Sequence, residues 1–277
     1  MGKLLLIDGT NIAYRWIKDP AKMLENFPKT VISLARSFGC EHILVSFDNK
    51  GSSFRKEIYP DYKGNRGTNL TDDEKAHRKF FYETVSQVPA LLSSHDIPCV
   101  ALERIETDDV IAYICGLVHD LVDEINIVSS DKDLYQLLIW DNVRIYSITK
   151  QEWMDYEIFT TQYGIEPISW IDVKALQGDT GDNIPGLPLV GEKRALAYIH
   201  DYGPSYEDIL RKLPLAKKKL GKIDQTILQG REIVTRNRRL MDLVTHTEEI
   251  IPEDYREVID MFLEQEGIIL GEDDESE

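Results

Sequence analysis

Two aspartates, Asp131 and Asp133, stand two residues apart in the motif SSDKD, directly after the apolar run INIV at 125–128. Two carboxylates placed so close together each raise the free energy of ionising the other. Either both side chains are solvated in a loop, or a cation lies between them. Hard divalent ions such as Mg²⁺ and Mn²⁺ prefer carboxylate oxygen, so a metal site is the chemical alternative to a plain loop.

Further acidic residues occur in short motifs elsewhere in the chain. Each has an ordinary explanation by itself: acids suit the first turn of a helix, as in ETDD, and aspartates suit a glycine-rich turn, as in GDTGDN. Together they cannot all stay ionised at one site without cations, which predicts a pair of ions about 4 Å apart, as in phosphoryl-transfer enzymes. The nine candidate ligands are Asp8, Asp48, Glu106, Asp108, Asp109, Asp131, Asp133, Asp179 and Asp182.

Short apolar runs predict the strands that would position these acids. The predicted strands are 3–8, 42–48, 98–103, 125–131 and 143–147. Segments with helical periodicity, such as 28–38 and 107–122, alternate with them, which indicates an α/β fold with a mostly parallel central sheet covered by helices. Ligands bind beyond the carboxyl ends of the strands in such sheets. Three predicted strands end there in aspartate: Asp8, Asp48 and Asp131.

Composition fits a globular chain that binds a polyanion. The 277 residues, 42% hydrophobic, suffice for one large or two ordinary domains. We expect no signal peptide and no membrane span, because no apolar run approaches eighteen residues, and three scattered cysteines suit a reducing cytoplasm. The net charge of −17 is segregated: residues 193–239 hold twelve Lys and Arg against five acids, whereas 271–277 hold five acids.

A polar segment at about 50–97 interrupts the alternation of strands and helices. Between residues 50 and 66, five basic residues are interleaved with Phe54, Tyr59 and Tyr62. From about residue 160 the pattern turns helical and stays so. We therefore predict an α/β core over residues 1–160 that carries this insertion, a helical region over 161–250 packed on the core, and a C-terminal helix and acidic tail over 251–277.

Six motifs in this order resemble the structure-specific 5′-nuclease family of flap endonucleases and 5′→3′ exonucleases. The motifs are LLIDGTN, SFD at 46–48, YKGNR at 62–66, ETDD at 106–109, SSDKD at 129–133 and GDTGDNIPG at 178–186. The resemblance covers roughly residues 3–245. The chain length and the single ETDD motif are more similar to stand-alone bacteriophage members than to the domains fused to bacterial DNA polymerases.

The resemblance implies a PIN-like nuclease core in which two Mg²⁺ or Mn²⁺ ions hydrolyse a phosphodiester near a 5′ end. Asp8, Asp48, Glu106 and Asp108 would hold the first ion, with Asp109 close by. Asp131, Asp133, Asp179 and Asp182 would hold or position the second. No side chain need act as the nucleophile, which agrees with the absence of a nucleophile elbow, a histidine metal motif and a P-loop.

The insertion resembles the helical arch of the family. Lys63 and Arg66 match basic residues that the family aims into the site, where they would stabilise charge on the scissile phosphate. Tyr62 beside them would stack on a base or on the last base pair. The rest of 67–97 resembles the gateway through which a single strand passes, and its low apolar content predicts local disorder without DNA.

Residues 184–199 resemble the helix–two-turns–helix motif of the family, which grips duplex phosphates. Gly186, Gly191, Lys193 and Arg194 match this motif, and the basic stretches 216–222 and 236–239 would extend the duplex track. The family often binds K⁺ there through backbone carbonyls. Leu189 stands where the family usually has glycine, and Glu192 adds a negative charge, so we expect a weaker grip and a compromised K⁺ site.

The implied partner is branched or 5′-flapped DNA, or an RNA–DNA hybrid such as a replication primer. The protein would act as a monomer in the cytoplasm, that of a bacterial host if a phage encodes it. The sequence leaves other readings open: a PIN-type RNase, a non-catalytic DNA-junction binder, and a phosphatase with an aspartyl nucleophile. It does not separate flap cutting from exonuclease action.

Overall fold

The computed structural model describes residues 2–68 and 70–268 and has a six-stranded sheet at its centre. The strands are β1 Lys3–Asp8, β2 His42–Ser46, β3 Cys99–Val100, β4 Glu124–Val128, β5 Val143–Ser147 and β6 Glu152–Met154. Their order across the sheet is β3-β2-β1-β4-β5-β6. The first five are parallel and β6 is antiparallel to β5, so the prediction of a mostly parallel sheet is confirmed.

Helices account for most of the remaining chain. They are α1 Gly9–Ala13, α2 Ala21–Phe38, α3 Ser53–Ile58, α4 Asp72–Val85, α5 Val88–Ser93, α6 Thr107–Val118, α7 Tyr156–Tyr163, α8 Trp170–Gln177, α9 Glu192–Tyr202, α10 Tyr206–Ala216, α11 Lys222–Gln229, α12 Arg231–Met241, α13 Thr247–Ile250 and α14 Glu253–Gln265. Within the described residues, short 3₁₀ helices span Tyr14–Trp16, Asp133–Ile139 and Pro167–Ser169. A two-stranded antiparallel ribbon joins β7 Gly178–Asp179 to β8 Ile184–Pro185. Among the described helices, none combines the length and apolarity needed to cross a membrane.

The alternation of side chains along β1 explains why helices cover both faces of the sheet. Leu4 and Leu6 belong to the apolar core on one face, whereas Leu5 and Ile7 belong to the core on the other, and all four are buried. A strand with no solvent-facing side needs the continuous apolar run that the sequence has there. Burying each such side chain contributes about 1.5–3 kcal/mol, which fixes β1 at the centre of the sheet.

Three of the predicted strands, 42–48, 98–103 and 125–131, extend beyond the observed ones at their carboxyl ends, whereas 3–8 and 143–147 match β1 and β5. Asp8 ends β1, but Asp48 follows β2 by two residues and Asp131 follows β4 by three. The predicted strand 98–103 shrinks to Cys99–Val100. In each case the polar residues leave the sheet and form the loops at its carboxyl edge, as expected for residues that cannot be buried between helices.

The insertion is ordered by helices in the part that the structure describes, so the expectation of local disorder is wrong for that part. A capping box of Thr71 and Glu74 begins α4. Phe81 of α4 and Leu92 of α5 are buried in the same core as Leu5. The apolar residues of this segment are few, but they recur at helical spacing and pack on one face.

Buried hydrogen bonds join the C-terminal helices to the part of the chain that contains the sheet. Gln136, in the 3₁₀ helix after β4, is fully buried. Its Nε2 donates to the carbonyl oxygen of Met241 at 2.8 Å, and its Oε1 accepts the N–H of Leu243 at 3.1 Å. These bonds satisfy backbone groups that would otherwise be buried without partners. The acidic stretch 271–277, predicted to be a tail, lies outside the described residues.

Candidate active site

A cavity of about 1110 Å³ opens at the carboxyl edge of the sheet. Eight of the nine predicted acids line it: Asp8, Asp48, Glu106, Asp108, Asp131, Asp133, Asp179 and Asp182. The predicted basic residues Lys63 and Arg66 line it as well, as does Tyr62. Because β1 lies between β2 and β4, the loops that follow these three strands are brought together at one point.

Asp8 and Asp48 are held by hydrogen bonds in the middle of this edge. Asp8 caps α1, with Oδ1 accepting the N–H of Asn11 and Oδ2 accepting the Ser129 hydroxyl, each at 2.9 Å. Asp48 Oδ1 accepts the N–H of Thr107 at 2.9 Å. Burial, and then the charge of Asp48, raise the pKa of Asp8 to about 7. The site therefore disfavours the ionised form of its central carboxylate.

Asp108 and Asp133 have raised pKa values for the same reasons. Burial, followed by the charges of Asp131 and Asp8, raises the pKa of Asp108 well above its usual value. Burial and then the charge of Asp131 raise the pKa of Asp133 to about 7. Mutual repulsion of this kind is relieved by a cation placed among the carboxylates.

One cation of the protein already lies among them, and the sequence reasoning missed it. Lys174 of α8 is buried, with Nζ 2.8 Å from Asp133 Oδ1 and 2.9 Å from Asp179 Oδ2. Burial alone would lower the pKa of Lys174, but the charges of the two aspartates outweigh burial and raise it. The available signal was a lysine in the otherwise apolar stretch VKAL, because a buried lysine needs an acidic partner.

The insertion delivers a second cation to the cavity. Lys63 Nζ lies 2.6 Å from Glu106 Oε1. The Tyr62 hydroxyl lies within hydrogen-bond distance of Glu106 Oε2, at 2.8 Å, and of Asp182 Oδ2, at 3.1 Å. Tyr62 is only 3% exposed, so the expectation that its ring stacks on a base is corrected. Its hydroxyl orients two carboxylates instead.

Arg66 connects the insertion to the glycine-rich turn. Its Nη2 lies 2.5 Å from Asp182 Oδ1. The N–H of Lys63 donates to the carbonyl oxygen of Asp182 at 2.8 Å. The loop that carries both basic residues is thus docked on the GDTGDN turn, which places two cations beside the carboxylates, where a phosphate would carry its negative charge.

Asp109 is the predicted ligand that the structure does not bring to the cavity. It is 0% exposed, and Arg55 Nη1 and Nη2 bind its two oxygens at 2.6 and 2.8 Å. Consecutive helical residues point about 100° apart, so Asp108 and Asp109 face different directions from α6. Arg55, one of the five basic residues between 50 and 66, is buried, and its Nε donates to the carbonyl oxygen of Leu240 at 2.8 Å.

The residues matched to the duplex-binding motif lie around α9 and do not line the cavity. Gly191 is the N-cap of α9, and Lys193 and Arg194 are exposed in its first turn. Gly186 is required by close backbone packing, since an added Cβ would lie 2.0 Å from the carbonyl oxygen of Gln177.

Leu189 and Glu192, the two departures from the motif, have specific surroundings. Leu189 has a φ of 68°, a region that favours glycine, and its side chain is 54% exposed. The Arg194 guanidinium donates to the Leu189 carbonyl oxygen. Glu192 forms a salt bridge with Lys132, with Nζ 3.0 Å from Oε2.

The donors around the cavity fit hard divalent ions. No three acidic, histidine or cysteine side chains within residues 2–68 and 70–268 form a ready-made metal-binding group. Mg²⁺ does not need such a cage, because it keeps several waters and binds through one or two carboxylates together with substrate phosphates. The raised pKa values of Asp8 and Asp133 show that added positive charge would be favourable there.

Comparison with known proteins assigns the fold and the site to one class. The family model described as "5'-3' exonuclease, N-terminal resolvase-like domain" matches residues 3–164, and "5'-3' exonuclease, C-terminal SAM fold" matches residues 165–258. A fold and site of this kind define a nuclease, and this chain is an enzyme of that class. It belongs to the 5′-3′ exonuclease family.

The chain is similar to two kinds of relative. It is 31% identical to the flap endonuclease of Escherichia phage T5, over 94% of this chain and 89% of that protein. It is 34% identical to DNA polymerase I of Streptococcus pneumoniae, but spans only 27% of that protein while 83% of this chain is covered.

Solved structures of the phage T5 enzyme match closely. One, with zinc ions bound, superimposes with a TM-score of 0.86 over 97% of this chain and 100% of the other, at 31% identity. A complex of the phage T5 flap endonuclease with DNA and metal ions gives a TM-score of 0.83 at 30% identity, over 95% of this chain and 97% of the other. The predicted family is thereby confirmed.

Proposed function

We propose that this enzyme hydrolyses phosphodiester bonds at 5′ ends and at 5′-flap or branched DNA junctions, using two divalent ions. The observation that carries the proposal is the convergence of eight carboxylates with Lys63 and Arg66 around one cavity. The phage T5 relative is named a flap endonuclease and has been solved with DNA and metal ions, which supports the same substrate here.

The carboxylates divide into two groups by their place in the fold. Asp8, Asp48, Glu106 and Asp108 would hold one Mg²⁺ or Mn²⁺ ion at the ends of β1 and β2 and the start of α6. The other group, Asp131, Asp133, Asp179 and Asp182, would hold the second. Bound there, such ions supply hydroxide near neutral pH and stabilise the leaving oxygen.

Lys63 and Arg66 would bind the scissile phosphate. Both now pair with carboxylates, Lys63 with Glu106 and Arg66 with Asp182. A phosphate that enters between them offers each cation a second anionic partner, and charge-assisted hydrogen bonds of this kind strengthen as negative charge develops on the phosphate oxygens. Their role is therefore to stabilise the transition state rather than to position the ground state.

The N-terminus of α9 would grip the duplex beyond the cut. The exposed Lys193 and Arg194 and the N-terminal end of the helix suit phosphates. Several basic residues of the predicted track have acidic partners instead, as in the Arg238–Asp172 and Arg239–Glu249 pairs. A K⁺ ion bound by the loop carbonyls would compete with Arg194 for the carbonyl oxygen of Leu189.

The biological setting follows from the same relatives. Similarity to DNA polymerase I supports a role in DNA replication, with removal of RNA primers as the candidate task. Similarity to a phage enzyme supports action in the cytoplasm of a bacterial host, where we propose that the protein acts as a monomer. Replacing the DNA flap by RNA in the assay below tests the primer substrate, and sedimentation with and without DNA tests the monomer.

The experiment is a gel assay on a 5′-flap duplex labelled at either end, with Mg²⁺ and with EDTA, comparing the wild-type protein with Asp131→Asn. We expect metal-dependent cuts near the junction that the variant lacks, while its DNA affinity stays close to that of the wild type. The amide keeps the shape of Asp131 but lowers its affinity for a cation. Tight binding without cuts in Mg²⁺ or Mn²⁺ would favour the non-catalytic junction binder instead.

A further inference from the structure

A salt bridge joins the loop between Asp131 and Asp133 to the first residue of α9. Lys132 Nζ lies 3.0 Å from Glu192 Oε2. The two neighbours of Lys132 line the carboxylate cavity, whereas Lys132 itself points away from it and does not. The salt bridge therefore directly connects the loop of residues 131–133, called here the carboxylate loop, to α9, the helix that would grip the duplex.

Two aromatic rings also hold the ammonium group of Lys132. Nζ lies 5.7 Å from the ring centroid of Trp170 and 5.9 Å from that of Tyr163. Both distances are within the roughly 6 Å range of cation–π attraction. Tyr163 ends α7 and the fully buried Trp170 begins α8. The ends of three helices thus define the position of Lys132, unlike that of a lysine in an ordinary surface pair, which moves freely.

Because Glu192 lies in the first turn of α9, its salt bridge with Lys132 also affects the charge that DNA phosphates meet there. A carboxylate in the first turn of a helix occupies the region where backbone N–H groups attract anions, so it would repel an approaching DNA phosphate. Lys132 neutralises that charge and draws the side chain toward the carboxylate loop. The acidic departure from the family motif is thereby compensated within the same molecule.

We propose that the Lys132–Glu192 salt bridge selects the phosphodiester that is cut, by fixing the distance between duplex phosphates bound at α9 and the carboxylates Asp131 and Asp133. This inference rests on the proposed function. Lys132 and Glu192 are positioning residues, since neither lines the cavity. Without the pair, a duplex gripped at α9 presents several neighbouring phosphodiesters to the same carboxylates.

The test maps cut positions at single-nucleotide resolution on a 5′-flap duplex with Mg²⁺. We expect the wild type to cut mainly at one phosphodiester. Lys132→Met and Glu192→Gln should each spread cuts over neighbouring positions and lower kcat by roughly 10-fold, because small misplacements are costly to the reaction. The double variant should match the single variants in cut position, since all three lack the same interaction.

Measurements of KM separate the effect of the salt bridge on DNA affinity from its effect on cut position. Lys132→Met alone uncovers the charge of Glu192 and should raise KM, whereas the double variant should restore KM while its cuts stay scattered. Lys132→Arg keeps the salt bridge and should keep the wild-type position. Lys29→Met is the matched control: it removes an exposed 2.9 Å salt bridge with Glu25 on α2 and should leave the cut position unchanged.

Three results would overturn the proposal. The first is an unchanged cut position in Lys132→Met with a wild-type melting temperature, and the second is an unchanged position with a lowered melting temperature, which would make the pair purely structural. The third is shifts in cut position that add in the double variant. Failure of the wild type to cut at all would refute the proposed function and this inference with it. Precise wild-type cutting that the variants retain would refute this inference alone.

Discussion

The ammonium group of Lys63 lies 2.6 Å from Glu106 Oε1, so a cation from the insertion rests on the carboxylate at the start of α6. Burial alone would raise the pKa of Glu106, but the charges of Arg55 and Lys63 outweigh burial and lower the pKa below its usual value. Glu106 therefore stays ionised and keeps Lys63 in the cavity, where its charge is available to a phosphate.

Replacing Lys63 should slow the chemistry far more than it weakens binding. We expect Lys63→Ala to lower kcat by about 10²–10³-fold, because the lost charge acts on the transition state, while Kd for flap DNA changes only a few-fold. Single-turnover cleavage and fluorescence anisotropy measure the two quantities. The control is Lys56→Ala, an exposed lysine on α3 with no part in the proposed mechanism. Equal losses of turnover and affinity in Lys63→Ala would contradict this role.

Adjacent acids on α6 should respond in opposite ways to loss of charge. Asp109→Asn removes the closer anion of the buried Arg55, leaving Glu106 at 3.4 Å, and should lower the free energy of unfolding by about 3–5 kcal/mol. Asp108→Asn removes a charge that burial and three neighbouring aspartates oppose, so its melting temperature in EDTA should rise. Its cleavage in Mg²⁺ should be lost. Urea and thermal unfolding of both variants measure these changes in stability. An Asp109→Asn protein as stable as the wild type would refute the predicted role of the Arg55–Asp109 pair.

Stability without divalent ions should fall as pH rises. The pKa of Asp8 is about 7 in the folded protein, raised from 3.8 by burial and by Asp48. Between those values the folded state binds more protons than the unfolded state, so the free energy of unfolding decreases with pH until Asp8 is ionised. Thermal unfolding in EDTA from about pH 5 to about pH 8 should show this decrease, and added Mg²⁺ should reduce it. A decrease of equal size in Asp8→Asn would point to other groups.

Two glycines near α9 should differ sharply in their tolerance of a methyl group. Gly186→Ala places Cβ 2.0 Å from a backbone oxygen, and we expect a loss of more than about 3 kcal/mol in the free energy of unfolding. An added Cβ at Gly191 meets nothing within 4 Å, so Gly191→Ala should fold with a loss of about 1 kcal/mol, the usual effect at an N-cap. Its DNA affinity should fall, because the methyl group stands where a phosphate approaches. Unchanged affinity would remove Gly191 from the duplex site.

Local sequence patterns predicted the strands and the edge at which the acids gather. Apolar runs identify buried strands regardless of their partners, and the aspartates that follow them must leave the sheet. Asp8, Asp48 and Asp131 were therefore predictable as neighbours once β1, β2 and β4 were taken as parallel. The motifs added Lys63 and Arg66, whose place depends on a loop that no periodicity describes.

What the sequence did not reveal depends on contacts between distant segments. Asp108 and Asp109 look alike in ETDD, and the approach of Arg55 from α3 decides that Asp109 is the one that faces away from the cavity. In the sequence Lys174 is a polar residue on an apolar helix, and its role follows only from the packing of α8 against the carboxylate loop. Tyr62 reads as an exposed aromatic residue until the loop around it docks on the GDTGDN turn.

Arg55 is matched by the first family model, yet its Nε donates to the carbonyl oxygen of Leu240, which the second family model matches. Gln136 makes the same kind of crossing to Met241. A chain divided at residue 164 would separate these buried donors from the carbonyl oxygens of Leu240 and Met241. The boundary between the two family models is therefore a poor site at which to divide the protein. Neither half should fold as an independent module. A split or circularly permuted version of the enzyme should have its new termini at another position.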